Sequence, residues 1–336
     1  MVTPRRRHEA RVSVVWHNTA GRGIHHTRPE RVRFEGTVPM STSRFGRMIT
    51  AMVTPFTPEL DLDLPRAQEL ALKLLDEGSD GLVVCGTTGE SPTVFYPQKL
   101  DLFRAVIDAV DGRAPIIANA GDNCTADSVA FAQEVAALGV DAIMAVVPYY
   151  NKPPQEGLYR HFRAIAESVD LPVFLYNIPG RSAINMTAET TLRLARDVEN
   201  IVGVKEASGN LGQVAEICHN APDGFEVISG NDADTLPMMG LGATGVISVV
   251  SHIAGLRFKE MVEASASGDH TRALRIHLEL LPLMNTLFMT SNPILVKKAL
   301  ELQGFSVGGL RLPLIDATAE QTAELERVMR HTGILT

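Results

Sequence analysis

Short apolar segments alternate with amphipathic segments of 10–15 residues from Met48 onward. The apolar segments contain few polar residues, which is typical of strands buried on both faces of a parallel sheet. The segments between them have apolar residues at helical spacing, and some begin with Pro or Thr or end at Gly, as helices often do. The predicted strands are residues 48–56, 81–86, 115–121, 142–150, 172–179, 201–208, 225–230 and 245–251.

Eight strand–helix units over about 205 residues predict an α/β fold of the (β/α)8 TIM-barrel type. A doubly wound open sheet is the alternative, but no G-x-G-x-x-G follows the first strand. After Ser251 the pattern is only helical, with predicted helices at residues 254–268, 270–289, 292–303 and 318–333. We therefore predict an arm over residues 1–45, the barrel with its active site over 46–252, and the last barrel helix with a C-terminal helical extension over 253–336.

Composition separates the first residues from the rest of the chain. Of 336 residues, 45% are apolar and 21% are charged, and no apolar run approaches the roughly 20 residues that cross a bilayer. Residues 1–47 carry ten arginines and three glutamates, whereas the remainder has a net charge of −15. An acidic body argues against nucleic acid as a partner.

The basic arm has three interpretations. It lacks the apolar core of a secretory signal and is poor in serine for a plastid transit peptide. We favour a disordered segment, or upstream sequence read from too early a start, over a targeting or functional arm. Met40 and Met48 are the alternative starts.

The metal-ligating residue types show no binding pattern. Cys85, Cys124 and Cys218 lie far apart without C-x-x-C spacing, which argues against a zinc site or disulfide framework and fits a reducing compartment. Outside the arm, no histidines have H-x-H or H-E-x-x-H spacing. We expect no metal, no cofactor, no membrane association and a cytoplasmic location.

Polar residues follow six of the predicted strands, at the end where barrel enzymes hold their active sites. These segments are GTTGE (86–90), PYYNKP (148–153), YNIPGRS (176–182), KEASGN (205–210), SGND (229–232) and SVVSH (248–252). Hydroxyls, amides, one arginine and one lysine are therefore expected to converge on one rim of the barrel.

Lys205 ends the apolar run IVGVK, and two interpretations of it stay open. It is either a strand-end lysine paired with Glu206 or a nucleophile. Adjacent strand residues point to opposite faces, so Glu206 is poorly placed as a partner. Burial would favour a neutral amine, which can attack a carbonyl carbon and form a Schiff base.

The neighbouring segments are also ambiguous when taken singly. Tyr176 is either a packing aromatic or a proton-transfer group. Arg181 is either a surface charge or a bidentate carboxylate ligand. GTTGE could hold a small carboxylate, and at most one of Tyr149 and Tyr150 can face the barrel mouth.

Together, GTTGE, PYYNKP, YNIPGRS, GVKEASGN and SGND closely resemble the dihydrodipicolinate synthase family of class I aldolase-like barrel lyases. The resemblance covers about residues 46–334 and implies condensation of pyruvate with L-aspartate 4-semialdehyde. It implies that Lys205 forms the Schiff base and that Tyr176 is the acid/base, linked through Thr87 to Tyr150 of a neighbouring subunit. A homo-oligomer is therefore expected, with a tetramer as a dimer of dimers.

The resemblance also implies the substrate contacts. Thr88, Gly230 and the backbone of Ile247 would hold pyruvate, and Arg181 would bind the carboxylate of the semialdehyde. The alternative is another Schiff-base pyruvate lyase, of the 2-keto-3-deoxy sugar acid or N-acetylneuraminate type. Thr87 and Arg181 follow the synthase pattern and favour the first assignment.

One segment departs from the family. Lysine-inhibited members have histidines after GTTGE, where this chain has Tyr96 and Lys99. Asn123 and Tyr149 could still line such a site. We expect weak or absent feedback inhibition by lysine, which an activity titration with lysine would check.

Overall fold

The computed structural model describes residues 43–335, in which eight parallel strands form a closed barrel. β1 pairs with both β2 and β8, so the sheet has no free edge. The strands are β1 Met48–Ala51, β2 Gly81–Val84, β3 Ile116–Asn119, β4 Ala142–Val146, β5 Val173–Asn177, β6 Ile201–Glu206, β7 Glu226–Ser229 and β8 Gly245–Ser248. The predicted barrel is confirmed, and each strand ends before its predicted limit because the chain leaves the sheet to build the rim.

Helices follow the strands around the barrel and continue beyond it. They are α1 Leu64–Asp76, α2 Tyr96–Val110, α3 Thr125–Ala136, α4 Gln155–Ala166, α5 Pro179–Ser182, α6 Ala188–Asp197, α7 Leu211–Asn220, α8 Thr235–Gly240, α9 Ser251–Ala266, α10 His270–Leu287, α11 Ile294–Leu302 and α12 Ala319–His331. The four helices predicted after the barrel correspond to α9–α12. Local chemistry sets several starts: Asp63 caps α1, Asp269 caps α10, and Thr318 forms a capping box with Gln321 at α12.

The apolar core has two parts. One fills the barrel interior, where Ile49, Val83, Met144 and Phe174 lie among inward-facing residues of the strands. The other, larger part lies between the outer strand faces and the surrounding helices. This division follows from the two-residue period of a strand, which sends alternate side chains inward and outward.

The predicted arm lies outside the described residues except for its last three. Ser43 Oγ donates a hydrogen bond of 2.6 Å to the Glu226 carboxylate. Phe45 is buried, and its ring meets Phe174 edge-on with centroids 5.1 Å apart. The proposed boundaries at residues 45/46 and 252/253 stay predictions.

The C-terminal extension packs back onto the barrel. α10 contacts α9, α11 contacts α9, and α12 contacts both α10 and α11. Within residues 43–335, no helix is both long enough and apolar enough to cross a membrane.

Candidate active site

Lys205 and Tyr176 meet at the carboxyl ends of two neighbouring strands. They are paired in register across β5 and β6. The Lys205 Nζ lies 4.3 Å from the centroid of the Tyr176 ring. Lys205 is only 5% exposed and Tyr176 only 2% exposed, so the amine lies in the barrel interior rather than in solvent. This burial excludes the interpretation of Lys205 as a strand-end lysine whose ammonium is solvated.

Burial lowers the pKa of Lys205 to about 7, because the charged ammonium loses its hydration. Asp232 opposes this shift and Arg181 adds to it. An amine with a pKa near 7 is substantially neutral at physiological pH, and the neutral form is the nucleophile. The site therefore holds an amine that can act as a nucleophile.

Glu206 does not pair with Lys205. Its buried carboxylate accepts hydrogen bonds from Asn177 Nδ2 at 3.1 Å, Gln213 Nε2 at 3.0 Å and the Ser208 N–H at 2.8 Å. These donors lie on the opposite side of β6 from the Lys205 amine, as the strand period requires. The network of Asn177, Glu206 and Gln213 holds the ends of β5 and β6 together behind the reactive pair.

Tyr176 is hydrogen-bonded to Thr87, which comes from the turn after β2. Burial raises the pKa of Tyr176 to about 12, and the Thr87 hydrogen bond and the Arg181 charge both moderate the rise. The phenol is therefore protonated at neutral pH, with a hydroxyl neighbour through which a proton can pass.

Arg181 and Thr88 are connected by Asn292, a residue of the C-terminal extension. Asn292 Nδ2 donates to Thr88 Oγ1 at 2.8 Å, and the Asn292 carbonyl accepts from Arg181 Nη2 at 3.1 Å. Because Thr88 Oγ1 accepts this bond, its own O–H remains free to donate to a ligand. Arg181 itself is exposed at the mouth of the site.

Gly230 lies directly beside the Lys205 side chain. A Cβ at Gly230 would lie 3.2 Å from the Lys205 Cε and 2.7 Å from the Ala207 Cβ. Glycine therefore leaves room that any other residue would fill beside the lysine stem. Ile247 is buried in the barrel interior on β8.

Tyr150 is the one predicted catalytic residue that does not join the others. Its side chain is 89% exposed, and its backbone has a φ of 74°, which is unusual for a residue with a side chain. Strained backbone of this kind is often associated with function. Within one chain, Thr87 is hydrogen-bonded to Tyr176, and Tyr150, the third residue of the predicted relay, lies apart from them.

A cavity of about 450 Å³ opens beside these residues. Thr87 and Arg181 line one part of it, and Tyr96, Lys99 and Asp122 line another. Its volume is in the range of small-molecule sites.

The sequence motifs did not identify two buried residues that contribute to the site, Asp232 and Asn292. Asp232 is 1% exposed and accepts hydrogen bonds from the N–H groups of Val249 at 3.1 Å and Val250 at 2.8 Å. Asp232 lies within the SGND segment, which was predicted to lie at the rim, but no role was predicted for the residue itself. Asn292 lies about 90 residues beyond Lys205 in a helical region, and nothing in its sequence context connects it to the rim.

A closed (β/α)8 barrel with a buried amine among hydroxyl groups at the carboxyl ends of its strands is the arrangement of the Schiff-base barrel lyases. The sequence pattern of the dihydrodipicolinate synthetase family matches residues 44–332. The chain belongs to this family and is a lyase of the Schiff-base class.

Relatives and solved structures agree with this membership. The chain is 55% identical over 291 residues to the 4-hydroxy-tetrahydrodipicolinate synthase of Symbiobacterium thermophilum, covering 87% of this chain and 99% of the relative. It is 51% identical over 296 residues to the 4-hydroxy-tetrahydrodipicolinate synthase of Desulforamulus reducens, and the aligned part covers 88% of this chain and 100% of the relative. The structure is similar to the crystal structure of dihydrodipicolinate synthase from Cyanidioschyzon merolae with lysine bound, with a TM-score of 0.86 and 47% sequence identity. The match covers 88% of this chain and 100% of that chain.

Proposed function

We propose that the chain condenses pyruvate with L-aspartate 4-semialdehyde to give 4-hydroxy-tetrahydrodipicolinate, the first committed step of the diaminopimelate route to lysine. The observation that carries the proposal is the buried Lys205 amine, whose pKa is lowered to about 7 and which lies 4.3 Å from the Tyr176 ring. An amine of this kind can activate a keto acid through an imine.

The first half of the reaction takes place on Lys205. The neutral amine attacks C2 of pyruvate, water leaves, and an iminium forms. The pyruvate carboxylate would be bound by the Thr88 hydroxyl and the backbone of Ile247, in the space that Gly230 leaves open. The buried carboxylate of Asp232 acts electrostatically on Lys205 and would favour the positive charge of the iminium.

The second half needs proton transfer. Loss of a C3 proton converts the iminium to an enamine, and C3 then attacks the aldehyde carbon of the second substrate. Tyr176, hydrogen-bonded to Thr87, would supply a proton to the alkoxide that forms. The amino group of the condensed substrate then attacks C2 and displaces Lys205, which closes the ring and frees the enzyme.

Arg181 would bind the carboxylate of the semialdehyde. Its guanidinium is exposed at the mouth of the site and is tied by one nitrogen to the Asn292 carbonyl, which leaves other N–H groups for a ligand. An arginine at this position supports the synthase over a sugar-acid lyase, the second candidate on the same barrel.

The proposal includes assembly and location. The exposed Tyr150 with its positive φ supports a role in the site of a neighbouring subunit, and therefore a homo-oligomer, with a tetramer as a dimer of dimers. We place the enzyme in the cytoplasm, with pyruvate and the semialdehyde as its partners.

Trapping separates the two candidates. The protein is incubated with pyruvate, reduced with borohydride and weighed intact. Wild type and Arg181→Ala should both gain the pyruvyl adduct, but Arg181→Ala should lose use of the semialdehyde. Arg104→Ala, which removes an exposed arginine on α2, should behave as wild type.

Two results would count against the proposal. Absence of the adduct would exclude the Schiff base. An adduct without consumption of the semialdehyde by wild type would favour the sugar-acid lyase instead.

A further inference from the structure

The turn that carries Thr88 is closed by Glu90, whose backbone conformation is unusual. The Glu90 N–H donates to the Thr87 carbonyl at 3.1 Å, and Thr88 lies between these two residues. The backbone of Glu90 has a φ of 55°, in the left-handed region that glycine adopts easily and other residues adopt at a cost. Glycine would therefore suit this position, and the contacts of the Glu90 side chain must offset the cost.

The Glu90 carboxylate is bound by two residues of the C-terminal extension. Oε1 forms an ion pair of 2.6 Å with Lys297 Nζ, and Oε2 accepts a hydrogen bond of 3.0 Å from the Arg311 N–H. Lys297, on α11, also donates to the Gly309 carbonyl at 2.8 Å. Glu90 is 2% exposed and Lys297 is 4% exposed, so water has little access to either charge.

The surroundings of Lys297 keep its ammonium against the turn. Its Nζ lies 4.3 Å from the centroid of the Phe56 ring, and the Arg311 guanidinium lies 4.5 Å from the same centroid. Burial lowers the pKa of Lys297, and the Glu90 carboxylate opposes this shift. Arg311 Nη1 donates to the Thr93 carbonyl at 2.7 Å, so the extension also holds the segment that follows the turn.

The two residues before Glu90 are also held by side chains from outside the turn. Asn292 Nδ2 donates to Thr88 Oγ1 at 2.8 Å, and Thr54 Oγ1 donates to the Gly89 carbonyl at 2.6 Å. The turn is therefore fixed at three consecutive residues. The contacts to the first and the third of these residues come from the C-terminal extension.

The ion pair restricts the turn more than it stabilises the fold. Well-packed apolar residues can often replace a buried ion pair without loss of stability. Separation of Lys297 from Glu90, however, would leave two unpaired buried charges, so the two groups must stay in contact. The pair therefore holds the Glu90 backbone, and with it the turn, in one conformation.

We propose that Lys297, acting through Glu90, is a positioning residue that directs the Thr88 hydroxyl toward the pyruvate carboxylate. The ion pair keeps Glu90 in its left-handed conformation, and this conformation sets the orientation of Thr88 two residues earlier. The proposal rests on the proposed Schiff-base function, because it concerns the turn that would bind pyruvate. It gives α11, a helix outside the eight strand–helix units, a part in substrate binding.

The test measures the rate at which cyanoborohydride traps pyruvate on Lys205, at a series of pyruvate concentrations, from the mass of the intact protein. Glu90→Gln/Lys297→Met removes both charges, so that neither stays buried without its partner. This variant should need at least about tenfold more pyruvate than wild type for half-maximal trapping, because misplacement of a binding group is costly. Its maximal trapping rate should stay close to that of wild type, since Lys205 and Tyr176 are unchanged.

A further variant tests whether the effect passes through Thr88. Thr88→Val removes the hydroxyl with little change in shape and should itself raise the half-saturating pyruvate concentration at least about tenfold. Adding Thr88→Val to Glu90→Gln/Lys297→Met should give no further increase, because the hydroxyl that the ion pair directs is already absent. If the two increases multiply instead, the ion pair does not act through Thr88 and the proposal is wrong.

Urea unfolding distinguishes positioning from a purely structural role. Loss of folded protein lowers the amount of adduct at every pyruvate concentration but does not move the half-saturating concentration. Lys298→Met, which removes a partly exposed ion pair with Glu301 on the same helix, should match wild type in trapping. An unchanged half-saturating concentration in Glu90→Gln/Lys297→Met overturns the proposal, whatever the stability of that variant. Absence of the adduct in wild type would reject the proposed function, and this proposal with it.

Discussion

At the scale of single residues, burial rather than residue type lowers the pKa of the Lys205 amine. Lys205 and Lys152 have the same side chain, but Lys152 is exposed, whereas Lys205 is surrounded by the barrel interior. The lost hydration of Lys205 is only partly replaced by the charge of Asp232, which is why its pKa falls to about 7. Strand periodicity predicted that Lys205 points away from Glu206, but the depth of burial depends on all eight strands.

The lowered pKa predicts how adduct formation depends on pH. At fixed pyruvate, the rate of trapping with cyanoborohydride should rise about tenfold per pH unit below pH 7 and level off above it, because only the neutral amine attacks. Lys205→Arg should form no adduct at any of these values, since a guanidinium stays protonated. A rate that keeps rising to pH 10 would mean that the pKa of Lys205 is not lowered.

Tyr176→Phe keeps the ring against Lys205 and removes only the hydroxyl. We expect the pyruvyl adduct to form while turnover falls on the order of 10²- to 10⁴-fold, the usual contribution of a proton-transfer group. Tyr159→Phe is the matched control, because the Tyr159 hydroxyl bonds Asp197 on α6, away from the site. Unchanged turnover in Tyr176→Phe would remove Tyr176 from the proton relay.

At the scale of elements, the C-terminal extension supports the rim as well as covering the barrel. Asn292, just before α11, connects Thr88 to Arg181. Lys297 of α11 forms an ion pair with Glu90 of the GTTGE turn. Both side chains are buried, at most 3% exposed. Helical periodicity predicted α11 but not these contacts, because a helical pattern contains no information about which distant turn the helix meets.

Breaking this ion pair should destabilise the fold. Glu90→Gln leaves the Lys297 ammonium buried without its ion-pair partner and should cost about 3–5 kcal/mol in the free energy of unfolding, measured with urea. The double variant Glu90→Gln/Lys297→Met should recover much of this loss.

Lys298→Met on the same helix provides the control. The Lys298–Glu301 pair has the same 2.6 Å distance but is partly exposed, so its loss should cost no more than about 1 kcal/mol. Equal losses in the free energy of unfolding for Glu90→Gln and Lys298→Met would mean that burial does not make the Lys297–Glu90 pair more important for stability than a partly exposed pair.

At the scale of the whole molecule, one chain folds a complete barrel but does not bring all the residues of the predicted relay together. Lys205, Tyr176, Thr87, Thr88 and Arg181 converge, whereas Tyr150 points outward. If a partner's tyrosine completes the relay, activity depends on assembly.

Mixed oligomers test that dependence. Lys205→Ala and Tyr150→Phe should each have little activity alone. After unfolding, mixing in equal amounts and refolding, random pairing into dimers should restore about a quarter of the wild-type sites, because the intact Tyr150 of one chain serves the Lys205 of the other. If Tyr150 acts within its own chain, mixing will restore nothing.

The sequence by itself determined the eight strands, the helices that follow them and the rim on which the motifs lie, since these depend on local periodicity and on the rule that barrel chemistry lies at the carboxyl ends of the strands. It left Lys205 open between strand-end residue and nucleophile. Tertiary structure excluded a solvated strand-end amine, because the burial of an amine depends on residues from every strand. The link through Asn292 and the Glu90–Lys297 pair were also decided there, since each joins residues far apart in the chain.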